Sequence, residues 1–302
     1  MDEFTVGVLS NVGMISFLAL SAYVLLVAGE ISFGQQGLFA IGAYSAGIGT
    51  ALWGWPLGVA LAWVTALAAG AAALVGALTL RLRGMYFAVA TLAFAEAVRI
   101  AFELFRYQAE IGGDAVGPSG VEGFRGIRYV LEHDIGSVQY LALIYALLAA
   151  VLVLFLWTER SRAGRVLRMV GEDPALAAMQ GVNVARAKLA AATAAGALAG
   201  LGGGLYAHFT TYVEPRNFDI MLGVHSLAYG LIGGLGTAFG PLLGVALDIG
   251  LLESTRWFSG YRMIVFGGLV AVLLILRPRG LLDERLVHRV RSAWATRLHA
   301  AR

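Results

Sequence analysis

The stretch "AGEISFGQQG", Ala28–Gly37, governs how the first half of the chain is read. From Phe4 to Leu80 there is one charged residue, Glu30, and it stands beside Ser32, Gln35 and Gln36. Gly29, Gly34 and Gly37 punctuate the same segment. A lone carboxylate, two amides and three residues that weaken helices are concentrated where everything around them is apolar.

Composition explains the apolar surroundings. The chain has 302 residues, 59% hydrophobic and 14% charged, with a mean hydropathy of +0.77. Soluble domains carry roughly 25% charged residues, and several uncharged runs here reach the ~20 residues that a membrane helix needs. The pattern predicts an all-α polytopic membrane protein. About nine spans are expected, near 5–28, 37–54, 57–80, 85–105, 138–157, 189–207, 221–235, 240–255 and 261–276. The acidic start "MDEF" lacks the positive region of a signal peptide, so the first run is read as a retained span. Residues 1–280 form one membrane domain in this reading, and 281–302 a basic tail.

Charge placement gives orientation. The segment 159–188 and the tail from Arg277 are basic, and Arg81 and Arg83 lie in a short turn. Residues 103–136 hold Glu103, Glu110, Asp114, Glu122, Glu132 and Asp134 against three arginines. The positive-inside rule puts the basic segments in the cytoplasm and the acidic loop outside. Span parity is consistent with this; three full crossings before Arg81 would put the N-terminus outside, and four would put it inside. The net charge of +3 is therefore explained by topology, without nucleic acid as a partner.

Catalytic patterns are missing. The one lysine, Lys188, is followed by Leu189, so no Walker A phosphate loop exists. There is no G-x-S-x-G or H-E-x-x-H, and Cys is 0. No catalytic, cofactor-binding or metal-ligating set is expected. If ATP drives this protein, another chain hydrolyses it.

Two structures fit 28–37. In one, a broken or re-entrant helix lines a path with Glu30, Ser32, Gly34, Gln35, Gln36 and Gly37, since irregular membrane backbone occurs where it faces protein or a water-filled cavity. In the other, a straight first helix carries Glu30 to the far interface and the segment is a polar turn. The long uncharged flanks tip the balance toward the first. Glu96, about 18 Å along a helix from Gly84, is a second path candidate. Its neighbours Arg99 and Glu103 favour a charge-paired structural seam. His225 and Asp248 are read as packing or interfacial residues.

In 159–188, "EDPALAAMQG" reads as a helix of about two turns. Asp173 caps it, Pro174 takes the first position, and Gly181 ends it. Leu176 and Met179 share a face. So short a helix needs a partner surface, which from pattern alone is lipid headgroups, the protein's own loops or another protein. Gly196, Gly200 and Gly204, Gly230 and Gly234, and Gly236, Gly240 and Gly244 recur at intervals that make flat faces for close helix crossing. They are assigned to packing within the chain or against a partner.

Several segments, in order, resemble the LivM-type permease subunit of branched-chain amino acid ABC importers. They are "ISFGQQGLFAIGAYSAG" (31–47), "RLRGMYFAVATLAFAEAVR" (81–99), "IGGDAVGPSG" (111–120), "SRAGRVLRMVGEDPALAAMQGVNVARAKLAAATAAGALAGLGGGLYAH" (161–208), "LIGGLGTAFGPLLG" (231–244) and "LRPRGLL" (276–282). The resemblance implies a bacterial inner-membrane importer subunit. Its partners would be a second, LivH-like permease, two ATPase subunits that hold ATP and Mg, and an external substrate-binding protein. It also implies that Gly164–Gly181 seats in an ATPase groove, with Gly164, Glu172, Asp173, Pro174, Leu176, Met179 and Gly181 as the coupling residues. Urea, short amides and aromatic acids are alternative cargoes among related permeases. An ion-driven secondary transporter and an intramembrane enzyme are the rivals from other classes. The first would show a second copy of the break, and the second a convergent catalytic set; neither feature is found.

Overall fold

The computed structural model describes residues 2–79, 81–82, 84–111, 114–253, 262–277 and 280–282. The helices in chain order are α1 (Glu3–Val27), α2 (Gln35–Gly47), α3 (Leu57–Thr79), α4 (Met85–Leu104), α5 (Tyr129–Glu132) and α6 (Ser137–Arg160). There follow α7 (Arg162–Glu172), α8 (Pro174–Met179), α9 (Val184–Thr210), α10 (Ile220–Gly233), α11 (Phe239–Val245) and α12 (Arg262–Leu276). π-helical turns extend α2 over Ile48–Leu52 and α11 over Ala246–Glu253.

Among the described residues five helices, α1, α3, α4, α6 and α9, are long and apolar enough to cross a membrane. Shorter apolar helices occupy 220–233, 239–250 and 264–273. The protein is thus a polytopic, mostly helical membrane protein. The expectation of an all-α chain needs one correction. Within 103–136, β1 (Ala109–Ile111), β2 (Asp114–Pro118) and β3 (Phe124–Arg125) form an antiparallel sheet, completed by β4 (Tyr212–Val213). Strands this short depend on tertiary pairing rather than on a local alternating pattern. Most of the tail, and Arg83, lie outside the described residues.

α1 and α9 are the core. In their most apolar stretches 78% and 61% of residues are buried, against 28%, 22% and 17% for α3, α4 and α6, which present their apolar faces outward. Small residues let α9 take the centre. A Cβ on Gly196 would stand 2.5 Å from the Ala68 carbonyl; away from α9, one on Gly244 of α11 would stand 2.7 Å from the Tyr229 Cα of α10. A Cβ on Gly42 would come 2.7 Å from the Gly200 Cα, so α2 and α9 meet backbone to backbone. Gly204 packs on Leu61, Val64 and Ala46, Gly230 on Leu26, and Gly234 and Gly240 on each other. Each of these glycines lies against atoms of this chain.

The bundle has two distinguishable ends. At one, the sheet, Phe124 and Ile127 cover the end of α2 at Gly47, and Trp53, Trp55 and Trp63 cluster beside it, as aromatic side chains do at a membrane interface. At the other lie the 28–34 segment, α7, α8, the 234–238 loop and residues 280–282. α1, α2 and α3 run between the ends in alternating directions.

Candidate functional site

α1 stops at Val27 and α2 starts at Gln35, with Gly29 at φ +78° making the corner. The segment between them is held by specific bonds. The Phe33 amide donates to Thr91 Oγ1 at 3.1 Å, and the Gly34 amide donates to Ser32 Oγ at 3.2 Å. Glu30 is buried and ion-paired with Lys188 on the first turns of α9.

The depth of the break follows from α9, which runs parallel to α2. Gly42 packs on Gly200, Ala46 on Gly204, and Thr50 Oγ1 is 2.9 Å from His208 Nε2. Gln35 is seven residues before Gly42, and the equivalent position on α9 is nine residues past Val184. At about 1.5 Å per residue, α2 begins roughly 14 Å further into the bundle than α9 does. The chain therefore enters as non-helical backbone and becomes helical only inside. The sequence offered an interfacial turn or a buried break, and the structure has elements of both. Glu30 is near the end of the bundle, whereas Gln35 and Gln36 are deep in it.

Ser32, Gln35 and Gln36 are all buried. Neither Gln35 nor Gln36 has a protein partner for its amide oxygen or nitrogen. Gln36 abuts Gly223 of α10, and Gly37 packs on Ala95 of α4. Ser32, Gly34, Gln35 and Thr91 line a small cavity of about 20 Å³ between α2, α3, α4 and α9. Unpaired buried amides cost about 1–3 kcal/mol each.

The second cluster is the α7–α8 segment. Asp173 closes α7 and caps α8, its carboxylate accepting from the Ala175 and Leu176 amides at 2.9 and 3.0 Å. Pro174 is at the first helical position and Gly181 has φ +82°. Leu176 and Met179 are 50% and 86% exposed, while Ala177 is buried. Gly164 is buried where a Cβ would stand 2.9 Å from the Glu159 Cα, and Glu172 and Asp173 are exposed. A two-turn helix thus presents apolar side chains outward from a rigid mount.

Residues 4–276 match the family described as branched-chain amino acid transport system / permease component. The chain belongs to this permease family. The high-affinity branched-chain amino acid transport system permease protein LivM of Escherichia coli K12 is 32% identical over 297 residues, or 92% of this chain and 69% of that protein. LivM of Salmonella typhimurium LT2 is 32% identical over 276 residues, covering 85% and 64%. LivH of Escherichia coli K12 is 28% identical over 144 residues, covering 47% and 46%. This permease spans about two thirds of the length of the LivM relatives. No solved structure matches it.

The remaining candidates fall into place around the permease core. Arg99 bonds Glu96 (Nε to Oε1, 2.8 Å) and also reaches Glu103, so Glu96 stands in an ion-paired row along α4. Asp248 is buried and accepts from the Tyr229 hydroxyl at 2.7 Å. His225 stacks on Tyr229 and meets Phe266 edge-on. Sequence reasoning missed the partner of Glu30, although Lys188, the chain's one lysine, was a visible anomaly. It also missed Tyr23, Glu159 and Arg168, which meet one another and the 234–238 loop.

Proposed function

We propose that this permease is one membrane subunit of an ATP-driven importer for branched-chain or related amino acids. It would pair with a LivH-like permease, two ATPase subunits that hold ATP and Mg, and an external substrate-binding protein; the chain itself would hold no cofactor. The observation that carries this reading is α8: apolar Leu176 and Met179 exposed on a capped, rigidly mounted helix, in a chain with no nucleotide loop of its own. The basic 159–188 segment faces the cytoplasm of the inner membrane in this scheme, and the sheet faces outside. Residues 1–280 act as one domain crossing nine times, with α2, α10, α11 and α12 as the shorter crossings, followed by the basic tail.

Glu30, neutralised by Lys188, and the uncharged Gln35 and Gln36 supply the polar groups of the path. Their chemistry suits a solute with no net charge, which amides can hold without trapping.

The test is reconstitution in liposomes with the partner permease, ATPases and binding protein, following labelled leucine with ATP. Uptake requiring ATP and lost in Met179→Glu supports the scheme. Uptake by this chain without ATPases overturns it. Labelled urea and short amides, run in parallel, identify a different cargo if they enter in place of leucine.

A further inference from the structure

α7 packs on α9 and α1 through Leu167, and two further contacts tie it to particular segments of the chain. Arg168 Nη1 donates to the Leu235 carbonyl and Nη2 to the Gly236 carbonyl, each at 3.2 Å. Glu159, at the end of α6, lies 3.8 Å from Arg168, accepts from the Ala238 amide at 3.0 Å, and accepts from Tyr23 of α1 at 3.2 Å. Both charged side chains are largely buried, at 25% and 12% exposure. One turn further along α7, Gly171 lies against Val27 and Gly29, where a Cβ on Gly29 would come 3.0 Å from the Gly171 Cα.

The two fastenings lead to different moving parts. The first holds the loop joining α10 to α11. The chain beyond α12 is held there too: the Leu281 and Leu282 amides donate to the Ile232 and Gly233 carbonyls at the end of α10 at 2.9 Å, and the Gly236 amide of the loop donates to the Leu282 carbonyl at 3.2 Å. The second abuts the corner from which the non-helical 28–34 segment enters the bundle. α8 follows α7 with one residue, Asp173, between them. Ala163, Val166 and Leu167 of α7, together with Tyr23, Glu159 and Arg168 of the clamp itself, border an apolar cavity of about 420 Å³.

We propose that α7 is a lever, with Arg168 and Glu159 as its joint: displacement of α8 is carried through the Arg168–Glu159 clamp to the 234–238 loop and through Gly171 to the break at Gly29. This rests on the importer reading above. Arg168 suits the task because a guanidinium forks onto two adjacent carbonyls, which a lysine ammonium cannot match. Its charge is balanced by Glu159, and such a pair holds one register where an apolar contact would slip. Arg168 and Glu159 are positioning residues; neither needs to meet solute.

The experiment uses the complete reconstituted complex. Arg168→Met leaves the α8 face intact, so the ATPases still co-purify and hydrolyse ATP at the basal rate. Leucine uptake falls at least tenfold, and stimulation of hydrolysis by the loaded binding protein is lost. Glu159→Gln gives the same split, and Arg168→Lys restores part of both. Uptake within twofold of wild type in Arg168→Met overturns the proposal.

A measurement that leaves the joint unmutated guards against a folding defect. The chain has no cysteine, so spin labels on Glu172→Cys and Phe239→Cys, both exposed, report the distance from α7 to the start of α11. That distance stays constant between nucleotide-free and nucleotide-trapped complexes if the clamp moves as one body, and a change between the states overturns it. If the wild-type complex shows no ATP-dependent uptake at all, the importer reading falls, and the lever falls with it.

Discussion

The Glu30–Lys188 pair permits a quantitative prediction. Lys188→Met keeps most of the aliphatic stem and removes the only ion-pairing partner of Glu30 among the described residues. The side chains are 5% and 14% exposed, so this is a buried pair, and removing one partner from such a pair costs about 3–5 kcal/mol. Gly29 and Ile31 on either side are exposed, and a carboxylate that can turn toward solvent relaxes part of the loss. The expectation is therefore about 3 kcal/mol, at the low end of the range. Removing both charges, in Lys188→Met with Glu30→Gln, leaves no stranded ion and returns stability to within about 1 kcal/mol of wild type.

Unfolding in mixed micelles, followed by tryptophan fluorescence, measures all four corners of the cycle; with each single variant losing about 3 kcal/mol and the double about 1, the coupling energy is about 5 kcal/mol. A second readout is chemical. Lys188 is the one lysine in the chain, so its reaction with an amine-specific reagent is slow in wild type and accelerates in Glu30→Gln. A single variant within 1 kcal/mol of wild type, or a double variant as weak as the single one, refutes the reasoning.

Three further expectations are shorter. Gly200→Val drives a side chain into Ala68 and the Val64 carbonyl, so folded yield drops and stability falls by about 3 kcal/mol or more, whereas Gly70→Val, with nothing within 4 Å, is tolerated in the same assay. Asp173→Ala removes both cap bonds of α8 and costs about 1 kcal/mol of local stability, read as amide exchange at Ala175 and Leu176 that quickens about fivefold. Gln36→Leu replaces an unpaired buried amide by an apolar side chain of similar size, so stability holds or rises by about 1 kcal/mol, while leucine uptake drops; a loss of stability would show that the amide is structural.

How much of this was legible depended on the range of the interactions. α8 was readable because its determinants are local: an aspartate cap, a proline at the first position and a glycine with positive φ within nine residues of sequence. The glycine faces were readable as packing surfaces, although their partners in α2, α3 and α10 were not, because spacing along one helix carries no information about the other. The sheet was invisible. Its strands have between two and five residues, and β4 comes from beyond α9, so nothing local announces it. The joint at Arg168 was hidden for the same reason: its acceptors are main-chain carbonyls near Leu235, and backbone atoms leave no trace in sequence.

The break itself shows why two incompatible sequence readings each held part of the answer. Counting residues along α1 correctly brings Glu30 to the end of the bundle, because α1 is a regular helix up to Val27. The polar content of Ser32–Gln36 correctly demands irregular backbone inside the bundle, because the chain turns at Gly29 and re-enters. The two conflict only if 28–37 is taken as a single object at one depth. Lys188 divides it: the ion pair fixes Glu30 at the first turns of α9, and the non-helical residues after it carry Gln35 and Gln36 deeper. A carboxylate neutralised at the entrance and two unpaired amides further in form an ordered pair of environments, and the corner joining them is the point against which α7 rests.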